Sequence, residues 1–158
     1  MTEMKKLLEL LDLAKDLARL AHRGQKYGVY DYYEYHIKGV ARNVEKLAVV
    51  QGVEKLTPEM KIKCIIGAFL HDAVEDSELT LEDLRLSEFP EDIIEAVGLV
   101  TKTEETVIEE YLVAIRENEI AYIVKVADMT FNITNTIAEQ NPKRFEKYAG
   151  QMKILLGK

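Results

Sequence analysis

The chain has 158 residues, of which 47% are hydrophobic and 31% charged, with a formal net charge of −7 and a single cysteine, Cys64. This composition predicts one soluble globular domain over residues 1–158 and excludes a membrane span, because no apolar run reaches about 18 residues. The acidic balance argues against a nucleic-acid partner. The lone cysteine, together with an N-terminal segment that lacks the form of a signal peptide, favours the cytoplasm.

The first part of the chain predicts three helices. Residues 3–22 place leucine and alanine at spacings of three and four, as in an amphipathic helix. The glycine- and tyrosine-rich segment 23–35 has no period and is expected to form a loop. A second helix is expected over 37–50, and Thr57-Pro58 is a typical N-cap and first turn for a third helix that ends near Val74. The apolar face of the second helix is expected to comprise Val40, Val44, Leu47 and Ala48.

The remainder also reads as helical. Thr80 is expected to cap a short helix, Pro90 to begin one that reaches Val100, and Asn141-Pro142 to begin a last one that reaches Leu156. Residues 104–116 and 121–139 have helical periodicity, although Ile123, Val124 and Val126 in the second segment would also suit a strand. No spacing pattern predicts a sheet, so the predicted fold class is all-α.

Four ionisable side chains directly follow the apolar run 65–70. They are His71, Asp72, Glu75 and Asp76, in the stretch FLHDAVED. Burying such groups is costly unless they are paired or bind a metal. The residues alone allow two interpretations: a solvated charged helix end, or a metal site with a nearby acid acting as general base.

Two further residues stand in comparable settings. His36 lies at the start of the second predicted helix, and Asp128 ends the apolar run Ile123-Val124-Lys125-Val126-Ala127. Asp128 alone could equally be a salt-bridge partner of Lys125. Taken together, however, imidazole and carboxylate groups at the edges of three apolar helices suit Mn²⁺, Fe²⁺, Co²⁺ or Zn²⁺.

This order of histidines and aspartates resembles the HD-domain superfamily of metal-dependent phosphohydrolases. It is most similar to the alarmone (guanosine tetraphosphate) hydrolase domain of Rel/SpoT proteins and their small single-domain relatives. The resemblance covers about residues 14 to 136. The matching pieces are Ala21-His22-Arg23-Gly24-Gln25, Tyr33-Glu34-Tyr35-His36, Leu70-His71-Asp72-Ala73-Val74-Glu75-Asp76, Thr80 with Leu84, Val100-Thr101-Lys102, and Val124-Lys125-Val126-Ala127-Asp128 with Asn132.

The resemblance implies a helical HD domain with one divalent metal, typically Mn²⁺. Its implied ligands are His36, His71, Asp72 and Asp128. It further implies that Glu75 and Asp76 position and activate the attacking water, and that Asn132 contacts the nucleotide.

The sequence departs from that family at positions that the resemblance implies would bind the substrate. Tyr27 and Gly28 stand where the alarmone hydrolases have an Arg-Lys pair, with Lys26 as a candidate substitute. Ile37 replaces a proline, and the segment after Asp128 lacks two arginines and a histidine. Fewer cations should weaken the binding of a phosphate-rich ligand.

The other conspicuous side chains have simpler interpretations. The loop tyrosines could stack on a base or pack against the domain, and Tyr33 is the one favoured for substrate binding because it matches the motif. His22 and Lys102 are expected to be structural, and Cys64 to be a core thiol.

The predicted function is hydrolysis of a nucleotide, first of all removal of the 3′-pyrophosphate of guanosine 3′,5′-bis(diphosphate). Two alternatives remain: an HD nucleotidase or nucleoside-polyphosphate hydrolase acting on another (deoxy)nucleotide, and a non-catalytic nucleotide-binding regulatory module. The expected partner is a small-molecule nucleotide, with no nucleic acid and no membrane.

Overall fold

The computed structural model describes residues 2–50 and 56–158, without the side chains of 48–50, so the position of Ala48 lies outside the described side chains. The described chain is helical apart from one two-stranded sheet, which confirms the all-α prediction. In these ranges no helix is both long and apolar enough to cross a membrane. The helices are α1 (Glu3–Ala21), a π-helix (Tyr32–Ile37), α2 (Lys38–Val50), α3 (Pro58–Leu70), α4 (Ala73–Asp76), α5 (Leu81–Leu86), α6 (Glu91–Val100), α7 (Ile108–Arg116), α8 (Glu119–Ala138) and α9 (Pro142–Leu155).

Two predicted helix starts are confirmed by their hydrogen bonds. The Thr57 hydroxyl accepts from the Met60 backbone N–H at 3.1 Å, and Pro58 occupies the first turn of α3. The Thr80 hydroxyl accepts from the Asp83 N–H, while the Asp83 carboxylate accepts from the Thr80 N–H. This reciprocal pair satisfies donors that the first turn of α5 would otherwise leave unpaired.

The segment 23–35 is more regular than the sequence predicts. Strands β1 (Lys26–Tyr27) and β2 (Tyr30–Asp31) pair antiparallel around Gly28, whose φ of +61° suits glycine. The π-helix follows directly. The loop prediction is therefore wrong here, because a two-residue strand is too short to show a sequence period.

Two predicted boundaries are also wrong. The third helix ends at Leu70 instead of near Val74, and a separate turn, α4, follows the break at His71 and Asp72. The helix predicted over 104–116 begins only at Ile108. The break after Leu70 is the more consequential difference, because it redirects the charged residues that follow.

Helix α3 runs through the centre of the core. Its residues from Cys64 to Leu70 are all buried, and α1, α2, α6 and α8 pack around it. The burial of Cys64 raises the pKa of its thiol to about 12, in keeping with a core thiol. Gly67 lets α3 approach α8 closely, since a Cβ there would lie 3.1 Å from Val124. This approach brings the end of α3 beside the middle of α8.

Candidate metal centre

His71 stands at the end of α3 with its side chain 2% exposed. Its Nδ1 lies 2.6 Å from the Ala68 carbonyl oxygen, so Nδ1–H donates and the ring orientation is set. Nε2 is buried and makes no hydrogen bond, although oxygens of Asp72 and Asp128 lie 3.0 and 3.4 Å away. A neutral imidazole anchored by a backbone carbonyl, with its second nitrogen free, has the form of a metal ligand.

Asp72 occupies the break between α3 and α4. Although aspartate is a favoured N-cap, its side chain makes no capping bond to α4, which forgoes about 1 kcal/mol of stabilisation. Instead Oδ2 lies 3.0 Å from His71 Nε2 and 3.5 Å from His36 Nε2, and accepts a hydrogen bond from Tyr32 Oη at 2.6 Å. The carboxylate is therefore directed toward the histidines.

Asp128 and His36 complete the cluster. His36 is 2% exposed in the π-helix, and its Nε2 lies 3.1 Å from Asp128 Oδ1. The other oxygen of Asp128 accepts from Lys125 Nζ at 3.0 Å, as the i,i+3 spacing allows. Asn132 Nδ2 lies 3.4 Å from Asp128 Oδ1.

The four predicted metal ligands thus converge from the π-helix, the α3–α4 break and α8. Ligand atoms of His36, His71 and Asp128 all lie within 4.8 Å of one another, and Asp72 Oδ2 adjoins both imidazoles. Two imidazole nitrogens and two carboxylates suit Mn²⁺, Fe²⁺, Co²⁺ or Zn²⁺. The unbonded Nε2 of His71 agrees with this donor set, so the residues fit a divalent cation.

The charges of these groups are strongly coupled. Burial lowers the pKa of His36 and His71, but the carboxylates of Asp72 and Asp128 outweigh it, and the pKa of each histidine is raised. Burial likewise opposes ionisation of both aspartates, yet the neighbouring cationic groups, Lys125 and His71 foremost, hold their pKa well below the usual range. Without a metal, protons on the imidazoles offset the carboxylate charge.

A cavity of roughly 330 Å³ opens beside the cluster. Besides Asp72 and Asp128, its wall includes Glu75 and three lysines. The lysines are Lys102, Lys125 and Lys147. A larger groove of about 630 Å³ lies along α1 and the hairpin, but the candidate metal ligands found among the described residues lie at the smaller cavity. The candidate site is therefore identified by the residues that line the cavity, not by the cavity's volume.

The two candidate catalytic acids face different surroundings. Glu75 lines the cavity, and its Oε1 accepts from the Lys102 backbone N–H at 2.7 Å. Although part of Glu75 is exposed, partial burial of its carboxyl raises its pKa more than the Lys102 N–H lowers it. Asp76 accepts instead from Gln25 Nε2 at 3.0 Å, lies 3.9 Å from His22 Nδ1, and does not line the cavity.

The predicted substrate contacts are only partly brought to the site. Asn132 lines the cavity, and its amide oxygen accepts from Tyr27 Oη at 2.7 Å. Lys26 is exposed on β1 and is absent from the cavity wall. Tyr33 is buried instead, against Phe69 and beneath the Arg19 guanidinium, with its ring also outside the cavity wall.

Tyrosines other than Tyr33, the one that the motif favoured for substrate binding, lie at the cavity. Tyr27 and Tyr32 line the cavity, and the Tyr27 ring stacks on His36 with centroids 5.0 Å apart and planes 15° apart. Burial and the adjacent Asp72 raise the pKa of Tyr32, so its hydroxyl keeps the proton that it donates. Both rings pack within the domain, as one of the two interpretations of the loop tyrosines proposed.

The cationic wall of the cavity is what the sequence interpretation missed. Lys102, for which the sequence predicts a structural role, also lines the cavity, and α9 contributes Lys147. Of the three lysines, only Lys125 could be placed near the site from the local sequence, because it lies three residues before Asp128. The positions of Lys102 and Lys147 depend on how α6 and α9 pack, which no short motif records.

Comparison of the chain with protein-family models and with curated proteins finds no match in either. The geometry of the site therefore carries the assignment that follows.

Proposed function

We propose that this protein is a metal-dependent phosphohydrolase of a nucleotide. The first candidate substrate is guanosine 3′,5′-bis(diphosphate), from which hydrolysis would remove the 3′-pyrophosphate. One observation carries the proposal. Two buried imidazoles, whose Nε2 atoms lie 3.0 to 3.5 Å from oxygens of two aspartates, adjoin a cavity that is also lined by Glu75 and three lysines. The expected compartment is the cytoplasm.

His36, His71, Asp72 and Asp128 would hold the cation. When bound, it supplies Lewis-acid chemistry by lowering the pKa of a water and offsetting phosphate charge. The protein prepares this chemistry by committing Nδ1–H of His71 to Ala68, which leaves Nε2 to bind the cation once the proton on Nε2 is released.

Glu75 is suited to act as the general base. Its carboxyl lies on the cavity wall, and its raised pKa makes it a better proton acceptor near neutral pH than an ordinary glutamate. Glu75 accepts a proton as a water oxygen bonds to the substrate phosphorus and the bond from phosphorus to the ribose 3′-oxygen breaks. The released 3′-oxygen takes up a proton, which yields a 3′-hydroxyl and pyrophosphate.

The lysines suit a polyanionic substrate. Lys125 is nearly buried beside Asp128, whereas Lys102 and Lys147 are exposed at the cavity rim, where they can approach phosphate oxygens. These cations stand at other positions than the Arg-Lys pair of the alarmone hydrolases. They explain how a chain of net charge −7 could accept a phosphate-rich ligand.

One observation favours a second candidate, hydrolysis of a different (deoxy)nucleotide. Tyr27, which replaces the family arginine, lies flat against His36 and is hydrogen bonded to Asn132. An uncharged side chain therefore occupies the wall where the alarmone hydrolases place a cation. A non-catalytic binding module is the third candidate, and the position of Glu75 at the cavity argues against it.

Mn²⁺-dependent product formation from guanosine tetraphosphate, measured beside a panel of ordinary nucleotides, tests these candidates. Release of GDP and pyrophosphate from the alarmone supports the first candidate. Cleavage of another nucleotide alone supports the second. No turnover of any nucleotide, with retained nucleotide binding, would replace hydrolysis with the binding module.

A further inference from the structure

Of the four candidate ligands, His71 and Asp72 lie outside regular secondary structure. The His71 ring is oriented by its bond to the Ala68 carbonyl, whereas the Asp72 side chain makes no capping bond to the backbone of α4. His36 belongs to the π-helix and Asp128 to α8, whereas Asp72 lies in the break after α3, with φ −109° and ψ −1°. Its position before α4 would let the carboxylate cap that turn, but no such bond is made. Something other than the backbone must select the observed orientation.

The Tyr32 hydroxyl is placed to make that selection. It donates to Asp72 Oδ2 at 2.6 Å, and this same oxygen faces the Nε2 atoms of His36 and His71. The Tyr32 ring is packed in turn against His22 and His36, with ring centroids 4.8 and 5.0 Å away. The hydroxyl therefore approaches Asp72 from a ring that has little freedom to move.

We infer that Tyr32 is a positioning residue that holds Asp72 Oδ2 at the divalent-cation site and away from the N-terminus of α4. The inference rests on the proposed metal centre. Tyr32 begins the π-helix that also contributes His36, four residues later. One turn of the chain thus supplies a ligand and sets the orientation of another ligand from a distant segment.

Co²⁺ binding tests the inference without any measurement of turnover. The visible spectrum of bound Co²⁺ depends on its ligands, and a titration against a competing chelator gives its affinity. Tyr32→Phe keeps the packed ring and removes only the hydroxyl. We expect it to weaken Co²⁺ binding by about 10- to 100-fold, as for other residues that orient metal ligands, and to alter the spectrum.

Tyr35→Phe is the matched control. Tyr35 lies in the same π-helix, and its hydroxyl donates at the same distance, 2.6 Å, but to Asn135 instead of a candidate ligand. It should leave the Co²⁺ affinity and spectrum unchanged. Equal effects of the two substitutions would show a general loosening of the turn and overturn the inference.

A double-mutant cycle with Asp72→Ala, which removes the oxygen that accepts from Tyr32, asks whether Tyr32 acts through Asp72. If it does, Tyr32→Phe should change Co²⁺ affinity by no more than about two-fold in the Asp72→Ala background. If Tyr32→Phe weakened Co²⁺ binding in that background as much as it does in the wild-type protein, the inference would be overturned. The cycle uses binding differences, so it also decides the case if Tyr32→Phe alone alters stability.

The same experiment separates this inference from the proposed function. Wild-type protein that binds Co²⁺, together with a Tyr32→Phe variant of unchanged affinity and spectrum, would overturn the role of Tyr32 and leave the metal centre standing. Wild-type protein that binds no Co²⁺ would overturn both.

Discussion

Lys125 and Asp128 form a buried ion pair one turn apart in α8, with Nζ 3.0 Å from Oδ2 and side-chain exposures of 11% and 7%. Nζ also lies 5.5 Å from the centre of the Tyr111 ring. The other oxygen of Asp128 faces His36. Asp128 is thus shared between a fixed internal cation and the candidate metal centre, which keeps its charge partly compensated when no metal is bound.

Replacing Lys125 with methionine should therefore destabilise the metal-free protein more than the Mn²⁺-loaded protein. Removing one partner of a buried pair leaves an uncompensated charge, which typically costs about 3 kcal/mol or more of unfolding free energy. Bound Mn²⁺ would compensate Asp128 and reduce this cost. Urea unfolding in the presence of a chelator and of saturating Mn²⁺ measures both values.

Lys38→Met is the control for that comparison. Lys38 pairs with Glu34 at 2.7 Å, but the two side chains are 41% and 59% exposed. Its removal should cost at most about 1 kcal/mol, with or without Mn²⁺. An equal loss for Lys125→Met in both conditions would contradict a cation bound beside Asp128.

The sequence predicted much of the helical framework because apolar spacing and capping residues are local signals. The caps Thr57 and Thr80 and the starts of the helices that follow them, α3 and α5, follow from such signals. The convergence of His36, His71, Asp72 and Asp128 needed more, namely the order of these residues at the edges of apolar helices. Each of the four has a packed helix beside it, which is why the pattern was informative.

The features of the site that the sequence did not predict depend on contacts between distant segments. Tyr27 and Tyr32 reach the cavity, while Lys26 and Tyr33 do not, because side chains alternate along β1 and the π-helix changes which residues face inward. Asp76 turns to Gln25 because α3 ends at Leu70. The predicted helix ended near Val74, so the sequence did not indicate that Glu75 and Asp76 would face different surroundings.

The pH dependence of stability should differ between the metal-free protein and the Mn²⁺-bound protein. The raised pKa values of His36 and His71 add stability that is present below the unfolded histidine pKa, about 6.5, and is lost as pH rises through the folded values. The lowered pKa values of Asp72 and Asp128 add stability above the unfolded aspartate pKa, about 3.9, that is lost as pH falls.

We therefore expect the metal-free protein to be most stable between about pH 4 and 6.5 and to weaken at higher pH. Chemical unfolding in chelator across this range measures the trend. Mn²⁺ must replace the imidazole protons, so its stabilising effect should grow with pH. Metal-free stability that kept rising above pH 7 would contradict the paired His–Asp arrangement.

Gly67 offers a test of the packing that builds the site. Alanine normally stabilises a helix over glycine by about 1 kcal/mol. At Gly67, however, the added Cβ would lie 3.1 Å from Val124 and 3.3 Å from Ile120, both on α8. We expect Gly67→Ala to lower the unfolding free energy by about 1 kcal/mol and to weaken Mn²⁺ binding, because it separates His71 from Asp128.

Gly150→Ala in α9 is the matched control, since its Cβ would meet no atom within 4 Å. It should raise thermal stability and leave Mn²⁺ affinity unchanged. If Gly67→Ala were equally stabilising and bound Mn²⁺ normally, the close approach of α3 and α8 would not be what holds the ligands together.

Glu75→Gln should lower the rate of hydrolysis by about 10²- to 10⁴-fold, the usual contribution of a general base, while Mn²⁺ content stays unchanged. Glu75 lines the cavity, and the amide that replaces its carboxylate cannot accept a proton. Asp76→Asn is the comparison, because Asp76 bonds to Gln25 outside the cavity wall and should have a much smaller effect on the rate.

The pH–rate profile adds an independent readout of Glu75. Burial raises its pKa, so the rate of the wild-type enzyme should fall on the acid side at a pH above the ordinary glutamate value of about 4.3. Asp76→Asn should keep this acid limb, whereas the residual activity of Glu75→Gln should lack it. An unchanged limb in Glu75→Gln would assign the titrating group, and the proton transfer, to another residue.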